Sequence, residues 1–292
     1  MSLTIGIITD IHLGPLAYFK GALRKMGTAS ESLTERFVET MNHDVQPDVI
    51  LHLGDVIQEV GQPELDLERY DRITDRLSEL KAPIWPVVGN HDLISLTAEQ
   101  LLPRWRTKTA FGTLPPEALG GDRALFYHTR MGGWDLIALH SHEERDSHIW
   151  IDRPQLDWLE RTLDTVAGPV LLILHHGLAD QDLSQSVWFR NHPHLGLIRG
   201  REAIRSMLEA SGKVRAVLNG HFHRNDCTIH GGIPYITVQS LIENMTGTST
   251  EGIACAAWGC MTLEPERLQL EVVGHDPATW DVALGCASRA AP

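Results

Sequence analysis

Five runs of Val, Ile and Leu, each ending in Asp, Asn or His, constrain this chain more than any other feature. Residues 3–9 lead into Asp10-Ile11-His12 and residues 49–53 into Gly54-Asp55. Residues 84–88 lead into Gly89-Asn90-His91-Asp92, 170–174 into His175-His176, and 214–219 into Gly220-His221-Phe222-His223. Uninterrupted apolar runs suit strands covered on both faces. Ligand sites of open α/β sheets form beyond the carboxyl ends of the strands, so five such ends bring their polar residues to one crevice. Asp, Asn and His converging there predict a metal site.

Helical patterns fill the gaps between these strands. Residues 30–44 place Leu33, Phe37, Val38 and Met41 at helical spacing, and 65–80 do the same with Leu67, Tyr70, Ile73, Leu77 and Leu80. Pro154 stands where a first helical residue would, ahead of Leu156, Leu159, Leu163 and Val166. Residues 201–210 put Ile204, Met207 and Leu208 on one side. Strands alternating with helices define an α/β protein. Two stretches, 97–122 and 177–200, break the rhythm with Pro, Gly and aromatic residues and read as long functional loops. After residue 223 the pattern turns to strands at 234–238, 253–263 and 267–273, the last two forming a hairpin around Glu264-Pro265-Glu266.

The polar strings run from residue 10 to residue 223, so a domain boundary between them would cut the site in two. One domain over 1–285 is expected, with a C-terminal β-hairpin at about 253–274 and a tail at 286–292. The chain carries 25 Lys+Arg against 38 Asp+Glu, a formal charge of −13. With no basic run to track a phosphate backbone, non-specific nucleic-acid binding is not expected. An anionic substrate stays compatible, because bound cations reverse the local field. Cys227, Cys255, Cys260 and Cys286 show no metal or disulfide spacing and read as free thiols. No apolar stretch is long enough to span a membrane and no leader pattern precedes the first strand, so the expected location is cytoplasmic.

Taken together, Asp-x-His, Gly-Asp, Gly-Asn-His-Asp, a His after an apolar strand and Gly-His-x-His resemble the calcineurin-like metallophosphoesterases over about residues 3–240. The resemblance implies a four-layer αββα sandwich of two mixed β-sheets flanked by helices, its second sheet extended by the C-terminal hairpin. It implies that Asp10, His12 and His223 hold one metal, that Asn90, His175 and His221 hold another, and that Asp55 bridges them. His176 neighbours His175 and offers the same chemistry; the family's ligand is the first polar residue after the strand, which favours His175. A mixed imidazole and carboxylate set suits first-row transition ions, here Mn, Fe, Zn or Co, over Ca or Mg. Two such ions lower the pKa of a shared water from 15.7 to about 7, giving a metal-bridging hydroxide as nucleophile.

By the same resemblance His91 reaches the phosphate or the leaving-group oxygen and is the candidate proton donor. Asp92 either orients the His91 imidazole or caps the start of a helix. Gln58 stands where purple Fe(III) relatives place Tyr, so no tyrosinate colour is expected. Among the 16 histidines, His192 and His194 share a loop with Trp188, Phe189 and Arg190 downstream of His175, which makes Trp188, His192 and His194 candidate substrate contacts. The leading expectation is a class III phosphodiesterase-like hydrolase of small phosphate esters, related to the cyclic-nucleotide and glycerophosphodiester enzymes. The stretch 233–244 and the motif spacing also resemble the manganese-dependent ADP-ribose/CDP-alcohol diphosphatases. A phosphomonoesterase is a third reading and a metal-binding protein-interaction scaffold a fourth, disfavoured because every expected ligand is present. Homo-oligomer formation stays open.

Overall fold

Two six-stranded mixed sheets face each other in the computed structural model, which describes residues 2–144, 147–246 and 251–285. In the first, the parallel strands Leu3–Ile8, Val49–His52 and Ile84–Pro86 continue into an antiparallel meander of Trp258–Glu264, Arg267–Val273 and Ala278–Ala283. In the second, Trp134–Ala138, Val170–Ile173, Val214–Asn219 and Ile233–Thr237 run parallel, edged by the antiparallel strands Tyr127–Met131 and Asp226–His230.

Side-chain alternation explains why both sheets are buried. Leu136, Ala138, Leu171, Ile173, Ala216 and Leu218 point into the core shared with the first sheet. Their neighbours Ile137, Leu172 and Val217 join a second core with Leu159 and Leu163 of the Arg153–Thr165 helix and Ile204 and Leu208 of the Arg201–Ser211 helix. Period-2 strands with apolar residues on both faces therefore separate a sheet-on-sheet layer from a sheet-on-helix layer. The Ser30–Thr40, Pro63–Leu77 and Ala98–Lys108 helices pack with the first sheet through Phe37, Tyr70, Ile73, Leu101 and Trp105. This is the four-layer α/β sandwich expected.

The five key strands appear where the apolar runs place them, stopping up to two residues early. Three expectations need correction. The 97–122 stretch is not a long loop: it opens with the Ala98–Lys108 helix, where the Gln100 side chain accepts from the Thr97 N–H at 2.9 Å. Pro103 lies inside that helix, and buried Leu101, Leu102 and Trp105 hold it in place. The C-terminal hairpin begins at Trp258 instead of residue 253, is followed by a third strand, and extends the first sheet by pairing with Leu3–Ile8, not the second. A hairpin of Leu16–Phe19 and Ala22–Met26 also fills a stretch that carried no strand expectation. The 177–200 segment is irregular, with one short 3₁₀ turn at Pro193–Leu195. Cys227, Cys255 and Cys260 are free thiols; Cys286 and the tail expected at 286–292 lie outside the described residues.

Candidate metal centre

All five polar strings converge where the two sheets meet, at the carboxyl ends of three strands of the first sheet and two of the second. The chain turns sharply as it leaves these strands. Asp10, His12, Asp55, His221 and His223 all have left-handed backbone, with φ between 46° and 67°. That conformation costs a non-glycine residue roughly 1–2 kcal/mol and gathers at functional sites. Asp10 and His12 both lie beyond the strand, and their left-handed backbone, not the strand pleat, turns them inward. Gly54 has φ +100°, and a side chain there would start 2.6 Å from the His175 Nδ1. A side chain at Gly89 would collide with the Asp55 carboxylate.

The polar atoms approach one another as a ring of lone pairs. His12 Nε2 is 3.1 Å from His223 Nε2, and Asp10 Oδ1 lies 3.7 Å and 3.3 Å from these two nitrogens. On the other side His175 Nε2 is 3.1 Å from Asn90 Oδ1, with the His221 ring 5.1 Å from the His175 ring. Between the two groups, Asp55 Oδ2 lies 3.4 Å from His12 Nε2 and 3.3 Å from His175 Nε2. Asp55 Oδ1 is committed elsewhere, accepting the His91 N–H at 2.9 Å. A bridge through Asp55 would thus use one oxygen.

Surrounding groups decide which imidazole nitrogens keep a lone pair. His223 Nδ1 donates to Glu243 Oε2 at 2.7 Å, and His175 Nδ1 to the Leu53 carbonyl at 2.8 Å. His221 Nε2 donates to the Leu195 carbonyl at 3.1 Å. Each donation fixes a tautomer whose other nitrogen is free to bind a cation. Asp10 Oδ1 is a buried carboxylate oxygen with no hydrogen-bond partner, while Oδ2 accepts from Thr9 Oγ1 at 2.7 Å and the His221 N–H at 3.0 Å. Lone pairs facing one another at about 3 Å, around an orphaned carboxylate oxygen, form groups that could hold divalent cations.

The electrostatics agree. Burial opposes the charge on Asp10, but the neighbouring His12 and His223 imidazoles override it and hold the carboxyl well below its usual range. Burial likewise opposes Asp55, and the field of His175, His91 and His12 overrides it in the same direction. Burial and the field of Lys25 keep His12 neutral; burial and His175 push His221 down to about 3. His175 moves the other way, to about 9: burial would lower it, but the Asp55 carboxylate beside it wins. Where no cation is bound, a proton on His175 takes its place.

Other residues that the sequence singled out take different places. His176 lies in the same buried cluster as His175 and His221, its Nδ1 bonded to Ser141 Oγ at 2.7 Å, but it is His175 that neighbours both Asp55 and Asn90. Asp92 does not reach the His91 imidazole. Its carboxylate accepts the N–H groups of Gly89, Asp55, Val56 and Ile57, so it pins the Asp55 turn to the start of the next helix. Glu59 is the carboxylate on His91, with Oε2 2.5 Å from Nδ1. His192 and His194 are exposed and do not line the cavity. Trp188 does, together with Tyr18, Phe19, Lys25, Phe189 and Leu195, around about 310 Å³ of open space over Asp55, Asn90 and His91.

Lys25, Glu59 and Glu243 were not anticipated from sequence. Glu243 joins the Arg24 guanidinium at 2.8 Å and the Trp188 indole N–H at 3.3 Å, tying both lips of the cavity to His223. Gln58 lies between Lys25 and His91.

A sheet-on-sheet sandwich that aims Asp, Asn and His from its strand ends at one shared carboxylate is the framework of a dimetal hydrolase. The chain belongs to the calcineurin-like phosphoesterase family, whose sequence pattern matches residues 3–225. It is 28% identical to a Synechococcus sp. protein named "probable cyclic nucleotide phosphodiesterase", over 94% of each chain. It is 27% identical to a 3′,5′-cyclic adenosine monophosphate phosphodiesterase of Vibrio vulnificus, over 80% of this chain and 74% of that one. The fold matches the crystal structure of a dimetal phosphatase from Danio rerio with a TM-score of 0.72 at 16% identity, covering 97% and 99% of the two chains. The protein is therefore a metal-dependent phosphoesterase, and its family implies divalent metals at this cluster.

Proposed function

We propose that this enzyme hydrolyses small phosphodiesters, cyclic nucleotides first among them, at a dinuclear centre. The observation that carries the reading is Asp55 Oδ2, equidistant from two groups of lone-pair donors at the floor of a cavity with aromatic walls. Asp10, His12 and His223 would hold one cation, Asn90, His175 and His221 the other, and Asp55 both. Asn90 is a neutral amide, so the second position binds more weakly. Manganese, iron, zinc or cobalt suits the mixed nitrogen and oxygen set. When bound, the two cations supply a polarised phosphoryl oxygen and a water acidic enough to attack near neutral pH.

The protein's own residues do the rest. Glu59 fixes the His91 ring, and Lys25 Nζ stands 3.1 Å from its Nε2. Phe19 and Trp188, with ring centres 5.0 Å apart, close one side of the cavity. Phe189 and Tyr18 offer flat faces to the organic part of the ester. The net charge of −13 leaves the site no general attraction for polyanions, which favours small substrates.

Three free thiols suit a reducing compartment, and no helix among the described residues is long and apolar enough to cross a membrane; both favour a cytoplasmic enzyme. The test is a comparison of kcat/KM for the metal-loaded protein on a phosphomonoester, a linear diester, a cyclic nucleotide and ADP-ribose. The expected order puts the diester and cyclic nucleotide first. Faster cleavage of ADP-ribose or of the monoester would replace this reading with a diphosphatase or a phosphomonoesterase.

A further inference from the structure

Lys25 is a lysine in an uncommon place. It lies on the Ala22–Met26 strand of the small hairpin, is 5% exposed, and ends in the cavity over the metal cluster. Lysine normally reaches out to keep its ammonium in water, and burying that charge is costly unless it is bonded. Here Nζ meets Gln58 Oε1 at 3.1 Å and His91 Nε2 at 3.1 Å. An ammonium has three N–H groups and no lone pair. His91 Nε2 is therefore the acceptor, and the His91 hydrogen sits on Nδ1, toward Glu59.

The third neighbour is His12 Nδ1 at 3.5 Å. His12 Nε2 faces Asp10, Asp55 and His223 and needs its lone pair there, so Nδ1 carries the hydrogen and cannot accept from Lys25. Two N–H groups of Lys25 are thus used, and the third meets no oxygen or nitrogen acceptor among the described residues, with only the Trp188 ring, its centre 5.4 Å from Nζ, on that side. It opens into the cavity that also exposes Asp55, Asn90 and His91. A phosphoryl group bound at the cluster would bring an anionic oxygen to that N–H.

Resting on the phosphoesterase reading above, we propose that Lys25 is a catalytic residue that donates this N–H to a non-bridging oxygen of the phosphoryl group under attack. Gln58 and the His91–Glu59 pair aim it. The chemical class it recognises is the phosphate anion itself, and the negative charge that grows on the oxygen during attack strengthens the bond. It follows that His91 positions Lys25 and has no Nε2 proton to give to a leaving group.

The test uses the full chain loaded with manganese, as parent and as Lys25→Met, Lys25→Gln and Lys25→Arg. Three quantities are read: manganese bound per chain, the affinity for inorganic phosphate by calorimetry, and kcat/KM on bis-p-nitrophenyl phosphate. Loss of one preorganised donor typically costs about 10²–10³-fold in rate. The expected result is Lys25→Met and Lys25→Gln with full metal content, phosphate binding at least ~10-fold weaker, and a rate loss in that range. Lys25→Arg should recover part of both. Phosphate affinity unchanged in Lys25→Met or Lys25→Gln, or loss of manganese from every variant, overturns the assignment and leaves Lys25 a structural cation. A parent that binds manganese but neither binds phosphate nor cleaves any phosphate ester overturns the functional reading, and this proposal with it.

Discussion

The floor and the rim of the cavity are built on different terms. Asp10, His12, Asp55, His175, His221 and His223 are each at most 8% exposed, and they hang from the ends of strands that belong to the cores of the two sheets. The rim is the Leu16–Phe19 and Ala22–Met26 hairpin and the irregular 177–200 segment, where Tyr18 is 54% exposed and Val187 38%. Rigid strands can hold strained backbone at five residues of the floor, because the sheet hydrogen bonds and the packing on both faces over-determine those positions. A rim that carries few such constraints is free to differ in shape without disturbing the metals. Chemistry and selectivity should therefore separate on mutation.

The largest effect should come from the floor. Asp55→Ala removes the one oxygen that faces both donor groups, so metal analysis should find both positions weakened and activity reduced to background. Retention of two tightly bound ions would break the comparison at its base. Next comes His91→Ala, at the boundary between floor and rim, with an expected loss in kcat no larger than the roughly 10²–10³-fold of Lys25, which it aims, and metal content unchanged. Because its Nε2 accepts from Lys25, the loss should be similar for nitrophenyl and alkyl leaving groups. A loss confined to poor leaving groups would make it a proton donor after all.

Apart from Lys25, which is buried and reaches down from the hairpin to the floor, rim changes should be milder and selective. Trp188→Ala removes the partner of Phe19 and an indole N–H bonded to Glu243, and should shift the ratio of kcat/KM between a diester and a diphosphate by about 1–3 kcal/mol. Equal loss on every substrate would assign Trp188 to the floor. His194→Ala, on exposed loop surface, should stay within about ±0.5 kcal/mol in stability and leave selectivity alone.

Acid–base behaviour separates the two regions as well. His175 moves from an ordinary 6.5 to about 9 in the metal-free protein, opposite the ionised Asp55. A raised histidine contributes stability that is complete below about 6.5 and is lost as pH rises through about 9. Thermal unfolding of chelator-treated protein should therefore show a falling Tm across that window. Metal should flatten the profile, because the cations replace the proton. An unchanged slope with metal would place the titrating group outside the floor.

The same division governs what the sequence can disclose. Floor residues follow unbroken apolar runs, and strand ends in an α/β sheet converge by topology alone, so the polar strings could be placed at one crevice, while the resemblance to the calcineurin-like enzymes singled out Asp10, His12, Asp55, Asn90, His175, His221 and His223 within them. Lys25, Glu59 and Glu243 could not, because nothing local says that a lysine in a short, half-exposed hairpin turns inward or that residue 243 returns to residue 223. The Lys20-Gly21 pair, both with left-handed backbone, was the available turn signal for that hairpin. The Ala98–Lys108 helix was legible in its Thr97 and Gln100 cap and its Leu101, Leu102 and Trp105 spacing, but Pro103 masked it. Which sheet the C-terminal strands join depends on a free edge at Leu3–Ile8, which no short-range pattern encodes. His192 and His194 misled because nearness to His175 along the chain says nothing of direction in an irregular loop.

The central claim is that one oxygen of Asp55 joins two cations. Titration of manganese into the metal-free protein, followed by electron paramagnetic resonance, tests it most directly. The account predicts saturation at two ions per chain with the spectrum of an exchange-coupled pair, as a single-oxygen bridge between ions ~3.5–4 Å apart requires. Saturation at one ion, or two ions giving independent mononuclear spectra, would contradict it.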